Sequence, residues 1–132
     1  MSATWDVLVI DDEPVVRGAV RLVLEAEGLS VALADDAAGA LAHPGLATCR
    51  LVLCDMMLPG ANGLELVREL RRRRPDAPIV LITGFATAEN AARAIDAGAS
   101  AFLAKPFDDT ELLEQVRAVL GRTDVAGREE RP

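Results

Sequence analysis

Short apolar runs alternate along the chain with longer stretches in which apolar residues recur every three or four positions. The runs are Val7 to Ile10, Leu29 to Ala34, Leu51 to Cys54, Ile79 to Ile82 and Ala101 to Ala104. None alternates between apolar and polar, the pattern expected of parallel strands covered on both faces. After the first run, Pro14 suits an opening helical turn, and Val16, Ala19, Val20, Val23 and Leu24 follow at helical spacing until Gly28. Asp36 is placed to cap a short alanine-rich helix to about Ala42, and His43 to Thr48 reads as a loop with His43 exposed. Leu66, Val67 and Leu70 form one face of a helix that ends before Pro75. Thr87 can cap the next helix, which stops at Gly98, and Asp109 opens a last one with Leu112, Leu113, Val116, Val119 and Leu120 inward, closed by Gly121. Strand then helix, five times over, predicts an α/β fold: a doubly wound, five-stranded parallel sheet with strand order 2-1-3-4-5 and helices on both faces.

In such a sheet the carboxyl ends of the strands form the ligand crevice. Asp11 and Asp12 follow the first run, Asp55 the third, Thr83 the fourth and Lys105 the fifth. These five side chains span most of the chain yet are expected in one pocket. Each alone has a bland reading: a helix cap for Asp11 or Asp12, an ordinary strand-end acid for Asp55, a cap or turn residue for Thr83 and a solvated side chain for Lys105. Separate structural causes would not place all five at strand ends.

Composition narrows the class. A chain of 132 residues that is 51% hydrophobic makes one domain with one core, and no apolar run approaches the roughly 18 residues of a membrane span. With no basic region or cleavage site in Met1 to Asp6, the expectation is a cytoplasmic protein. A net charge of −7 disfavours direct binding to nucleic acid or an anionic membrane. The exception, Arg71 to Arg74, reads as the solvated last turn of a helix, where cations complement the macrodipole. Cys49 and Cys54, roughly 16 Å apart if on one extended segment, cannot bridge and suggest a reducing compartment. Residues 1–121 are expected to form the domain and 122–132 a tail or the start of a linker.

Four motifs, in order, resemble the receiver domains of two-component response regulators. They are Val9-Ile10-Asp11-Asp12-Glu13-Pro14, the stretch from Leu51 through Asp55 to Gly60, Ile82-Thr83-Gly84, and Phe102-Leu103-Ala104-Lys105-Pro106-Phe107. Any one is weak, but 43 residues from Asp12 to Asp55, 28 on to Thr83 and 22 on to Lys105 make the set specific. The resemblance covers roughly residues 5 to 121. Asn62 stands where the family more often has Asp, outside the reacting group.

The resemblance implies a flavodoxin-like (receiver) fold and a phosphoacceptor signalling domain that catalyses only its own phosphorylation and dephosphorylation. Asp55 would take the phosphoryl group from a phosphohistidine on a sensor histidine kinase or phosphotransfer protein. Three carboxylates repel one another by roughly 3 kcal/mol per pair at 5 Å and an effective dielectric near 20, so the pocket requires cations. Lys105 supplies one charge, and an oxygen-only donor set suits Mg²⁺ or Mn²⁺. By the family's assignment the ion is held by Asp12 directly, Asp11 through water, Asp55, and the backbone carbonyl of Met57. Thr83 and Lys105 would bind the phosphate and Gly84 leave room for it. Thr83 drawn inward would free Phe102 to rotate, switching the surface of the fourth helix, fifth strand and fifth helix. The family also implies a cis Lys105–Pro106 bond and allows a phosphorylation-dependent homodimer. Met57 and Phe85, two residues beyond Asp55 and Thr83, are large and apolar where the family's water path runs, which implies a long-lived phosphoryl group.

Other classes fit less well. A phosphatase of the haloacid dehalogenase type needs a second acid two residues after its nucleophile, where this chain has Met57. A flavodoxin-like electron carrier needs aromatics to stack on its flavin, and aromatics are 3% with no tyrosine. A degenerate receiver acting only as an interaction module would lack part of the acid, hydroxyl and lysine set. Nothing after Leu120 resembles a helix-turn-helix or an ATPase module.

Overall fold

The computed structural model describes residues 4–58, 60, 62–84 and 86–128, with side chains to residue 121. Five parallel strands, β1 (Val7–Ile10), β2 (Val31–Ala34), β3 (Leu51–Asp55), β4 (Ile79–Thr83) and β5 (Ala101–Ala104), form one sheet in the order β2-β1-β3-β4-β5. Five helices connect and cover them: α1 (Pro14–Ala26), α2 (Ala37–Ala42), α3 (Gly63–Arg73), α4 (Ala88–Ala97) and α5 (Asp109–Arg128). A 3₁₀ turn, Pro44–Ala47, lies between α2 and β3.

Alternation along each strand divides the interior into two layers. Leu8, Ile10, Val52, Cys54, Ile79 and Leu81 pack under α2, α3 and α4 with Leu66, Val67, Leu70 and Ala94. Val7, Val9, Leu51, Leu53, Val80 and Ile82 pack under α1 and α5 with Val20, Leu24, Leu112 and Val116. Strands β3 and β4 are buried along their whole length, which is why they read as unbroken apolar runs. Each fully buried Leu or Ile contributes roughly 1.5–3 kcal/mol.

Helix starts follow the chemistry of their caps. Asp36 accepts from Gly39 N–H at 2.6 Å, Asn62 from Leu64 and Glu65 N–H at 3.0 and 3.3 Å, and Thr87 from Asn90 N–H at 3.1 Å. The last helix opens at Asp109 as expected and is capped by Asp108: Asp108 and Glu111 exchange hydrogen bonds with each other's backbone N–H in a reciprocal box.

Five local expectations are corrected. The run Leu29 to Ala34 forms strand only from Val31, and Ala19 faces solvent on α1. Gly121 does not close α5, which continues to Arg128. His43 is half-buried: its Nδ1 accepts from Gly45 N–H at 2.8 Å and its ring meets Trp5 edge-on, centroids 6.2 Å apart. The run Arg71 to Arg74 is solvated only in part: Arg72 and Arg73 are exposed in the last turn of α3, whereas Arg71 and Arg74 are half-buried. Arg71 donates to the carbonyls of Gly98, Ala77, Arg74 and Pro75 and to Ser100 Oγ, at 2.6–3.2 Å, tying the end of α3 to the end of α4. Gly98 is fitted to this contact twice over, since its φ is +121° and a Cβ there would lie 3.0 Å from Arg71 Cβ. Cys49 and Cys54 are buried and unbridged, as expected.

Candidate functional site

Register brings the acids together. Ile10 pairs with Cys54 across β1 and β3, so Asp11 and Asp55 leave adjacent strands side by side, and by alternation both continue the α1/α5 layer. Lys105 continues the same layer from Leu103 on β5. Thr83 and Phe102 have the opposite parity: Leu81 pairs with Phe102 and Thr83 with Ala104, on the α4 side of the sheet.

Asp11 and Asp55 are almost completely buried, at 2% and 3% exposure. Lys105 Nζ donates to Asp55 Oδ2 at 3.0 Å and lies 3.5 Å from Asp11 Oδ2 and from Glu13 Oε1. The other oxygens are held by backbone: Met57 N–H donates to Asp55 Oδ1 and Glu13 N–H to Asp11 Oδ1, both at 2.9 Å. Asp12 completes the group, and one carboxylate oxygen from each of Asp11, Asp12, Glu13 and Asp55 lies within 4.8 Å of the others. One ammonium therefore faces three carboxylates, with Asp12 a fourth in the same group. Burial pushes Asp11 above the ordinary carboxylate range and the charge of Asp55 adds to this, against the Glu13 N–H and Lys105. Burial alone would lower Lys105, but its hydrogen bond to Asp55 and the charges of Asp11, Asp55 and Glu13 hold it above its ordinary value. An excess of clustered, oxygen-only donors fits a hard divalent cation.

The remaining expected residues are on the neighbouring strand ends or farther along β5. Thr83 is fully buried at the end of β4, and its carbonyl accepts from Lys105 N–H at 2.7 Å. Lys105–Pro106 is cis. A Cβ on Gly84 would meet nothing within 4 Å, so the space beside it is open. Phe102 is half-buried against the α2/α3/α4 core. Met57 is 58% exposed, so its side chain stands on the rim rather than covering the core. Phe85 lies outside the described residues.

Three contributors were missed in the sequence. Glu13 was read only as part of a motif. Arg17 donates to the Asp11 carbonyl at 2.7 Å and so fixes the β1–α1 loop. Gly63 opens α3 so close to the Met56 carbonyl that a Cβ would collide with it. That contact holds the segment after Asp55, and a glycine after Asn62 was its only trace in the sequence.

A family model for the response regulator receiver domain matches residues 7–117. The chain belongs to the response regulator receiver domain family. Among curated relatives, this receiver domain is 38% identical over 131 residues to the transcriptional regulatory protein FixJ of Azorhizobium caulinodans, covering 98% of this chain and 62% of that protein. It is 40% identical over 123 residues to the C4-dicarboxylate transport transcriptional regulatory protein DctD of Pseudomonas aeruginosa, covering 90% of this chain and 26% of that protein. The chain thus spans less than two-thirds of either relative. Among solved structures, a CheY-like receiver domain from Methanospirillum hungatei superposes with a TM-score of 0.84 at 30% identity, covering 92% of this chain and 98% of that one. The receiver domain of NtrX from Brucella abortus does so at 0.81 and 37%, covering 88% and 98%. The order β2-β1-β3-β4-β5 agrees with this fold. No described helix is long and apolar enough to cross a membrane.

Proposed function

We propose that this receiver domain takes a phosphoryl group onto Asp55 from a phosphohistidine of a sensor histidine kinase or phosphotransfer protein, in the cytoplasm. The observation that carries the reading is the state of Asp55: buried, anchored through Oδ1 to the Met57 N–H and through Oδ2 to Lys105. An ionised carboxylate held in one orientation is a competent nucleophile towards phosphorus, and phosphoryl transfer is accelerated mainly by positioning and charge neutralisation. The bond from the donor nitrogen to phosphorus breaks, a bond from Asp55 oxygen to phosphorus forms, and the imidazole leaves neutral after taking up a proton.

Lys105 passes from Asp55 to the phosphoryl oxygens, and the Thr83 hydroxyl donates to them. Asp11, Asp12, Asp55 and the Met57 carbonyl are the groups that would hold Mg²⁺ or Mn²⁺, which when bound supplies further neutralisation of the transferring group. The donor protein must cover the rim, where Val15 and Met57 are the exposed large apolar residues, 83% and 58% exposed. A groove of about 430 Å³ beside Lys105, lined by Val16, Phe107 and Leu112, continues that surface. With the complete acid, hydroxyl and lysine set present, the phosphoacceptor reading is favoured over a receiver acting only as an interaction module.

The test is intact-mass measurement after incubation with acetyl phosphate or phosphoramidate. One acid-labile phosphoryl group is expected in Mg²⁺ and none in chelator, and Asp55→Asn should abolish it. Equal labelling of wild type and Asp55→Asn would remove Asp55 as the acceptor.

A further inference from the structure

Glu13 occupies the N-cap of α1 but does no capping. Its backbone is extended and its side chain makes no cap hydrogen bond, although Ser, Thr, Asp or Asn is the usual choice there. Only its backbone is engaged: Glu13 N–H donates to Asp11 Oδ1, and the Glu13 carbonyl accepts the first helical bond from Arg17 N–H at 2.9 Å. The side chain turns instead towards the pocket, with Oε1 3.5 Å from Lys105 Nζ. It differs from the other carboxylates facing that ammonium in one respect. Asp11 and Asp55 side chains are 3% exposed and fixed by backbone N–H groups, whereas Glu13 is 61% exposed. It alone of the three can leave Lys105 for water at little desolvation cost.

We infer that Glu13 is a displaceable guard on Lys105, a positioning residue whose carboxylate holds the place beside the ammonium that a phosphoryl oxygen must take. This rests on the phosphoacceptor reading of Asp55. An incoming phosphoryl group meets three consequences. Its oxygens compete with Glu13 for the same cation, and its negative charge is repelled by a carboxylate within 4.8 Å of that of Asp55. Because Glu13 is exposed, both effects are screened by salt, which the buried acids escape. The guard thus raises the donor concentration needed for phosphorylation without changing the attacking group. It discriminates against small anionic donors that bring no binding energy of their own to move it, in favour of a protein donor that covers the rim.

The test is the rate of phosphorylation by acetyl phosphate, as a function of donor concentration, for wild type and Glu13→Gln at saturating Mg²⁺. Gln keeps the length and removes the charge. Glu13→Gln is expected to reach half-maximal rate at a several-fold lower donor concentration, with the limiting rate little changed and Asp55 still the labelled residue. Raising ionic strength should narrow the gap by speeding wild type more than the variant. Identical concentration and salt dependence would overturn the inference while leaving Asp55 as acceptor. A Glu13→Gln that needs several-fold more Mg²⁺ than wild type to reach half its rate, in a separate Mg²⁺ titration, would also overturn it, by placing Glu13 among the groups that hold the metal. Absence of labelling in both proteins would remove the phosphoacceptor reading itself.

Discussion

At the residue scale, the site is a problem in charge that the fold leaves partly unsolved. Asp11 is the clearest case, a buried acid held above its ordinary value of 3.8 by desolvation and by Asp55. The sign of its effect on stability follows from linkage. Between 3.8 and the higher folded value, the folded state holds a proton that the unfolded state does not, so stability rises as pH falls through the folded value and levels off near 3.8. In chelator, the urea midpoint of wild type should therefore rise as the pH is lowered from 7 towards the ordinary carboxylate range, relative to Asp11→Asn. Parallel pH profiles for the two proteins would show that Asp11 is not the group responsible. Lys105 acts in the opposite range, since its folded value is raised: its contribution is complete below 10.5 and is lost as pH rises through the folded value. The strand-end positions of Asp11, Asp55 and Lys105 were legible in the sequence because they end apolar runs. The part of Glu13 was not, because a lone exposed acid after two others carries no periodic signal.

Elements have their own vulnerabilities, and these were only half legible. Strands and caps were readable because burial on both faces and cap chemistry leave local patterns. The Arg71 anchor was not, because its acceptors are backbone carbonyls 27 residues away and at the following turn, and carbonyls are common to every residue. Arg71→Ala leaves the Gly98 and Ala77 carbonyls without this donor and should cost about 2–3 kcal/mol in urea unfolding. Arg71→Lys should recover little, since one ammonium cannot span acceptors on both elements. A loss below about 0.5 kcal/mol would mean that water replaces the guanidinium. At the end of β4, Thr83→Ala should leave Asp55 open to phosphorylation while uncoupling it from the Phe102 side. Amide shifts across residues 86 to 105, with and without beryllium fluoride, should then be much smaller than in wild type. Shifts of wild-type size would exclude the hydroxyl as the link.

For the whole molecule, clustering these acids costs stability. Two nearly buried acids on adjacent strands repel, and the half-buried cation between them is shared with Glu13. Removing one charge in Asp55→Asn should stabilise the protein in chelator by about 1–2 kcal/mol, read as a higher Tm. Mg²⁺ should reverse the order. Wild type gains about 2.7 kcal/mol at a hundred times its Kd, whereas the variant lacks one ligand and gains less. An Asp55→Asn protein no more stable than wild type in chelator would mean that Lys105 already offsets the repulsion.

The opposite parity of the acids and of Thr83 has a consequence for how such a molecule can diversify. Asp11, Asp55 and Lys105 belong to the α1/α5 side of the sheet, while Thr83 and Phe102 belong to the α4 side. The sheet acts as a bulkhead with a single hatch. On the proposed reading, substitutions on the rim near Val15 would retune which donor is accepted without disturbing the packing that Phe102 rests on. Those around α4 would retune the response without touching the chemistry. Input and output would thereby be free to vary as separate dials, provided the threonine between them is kept.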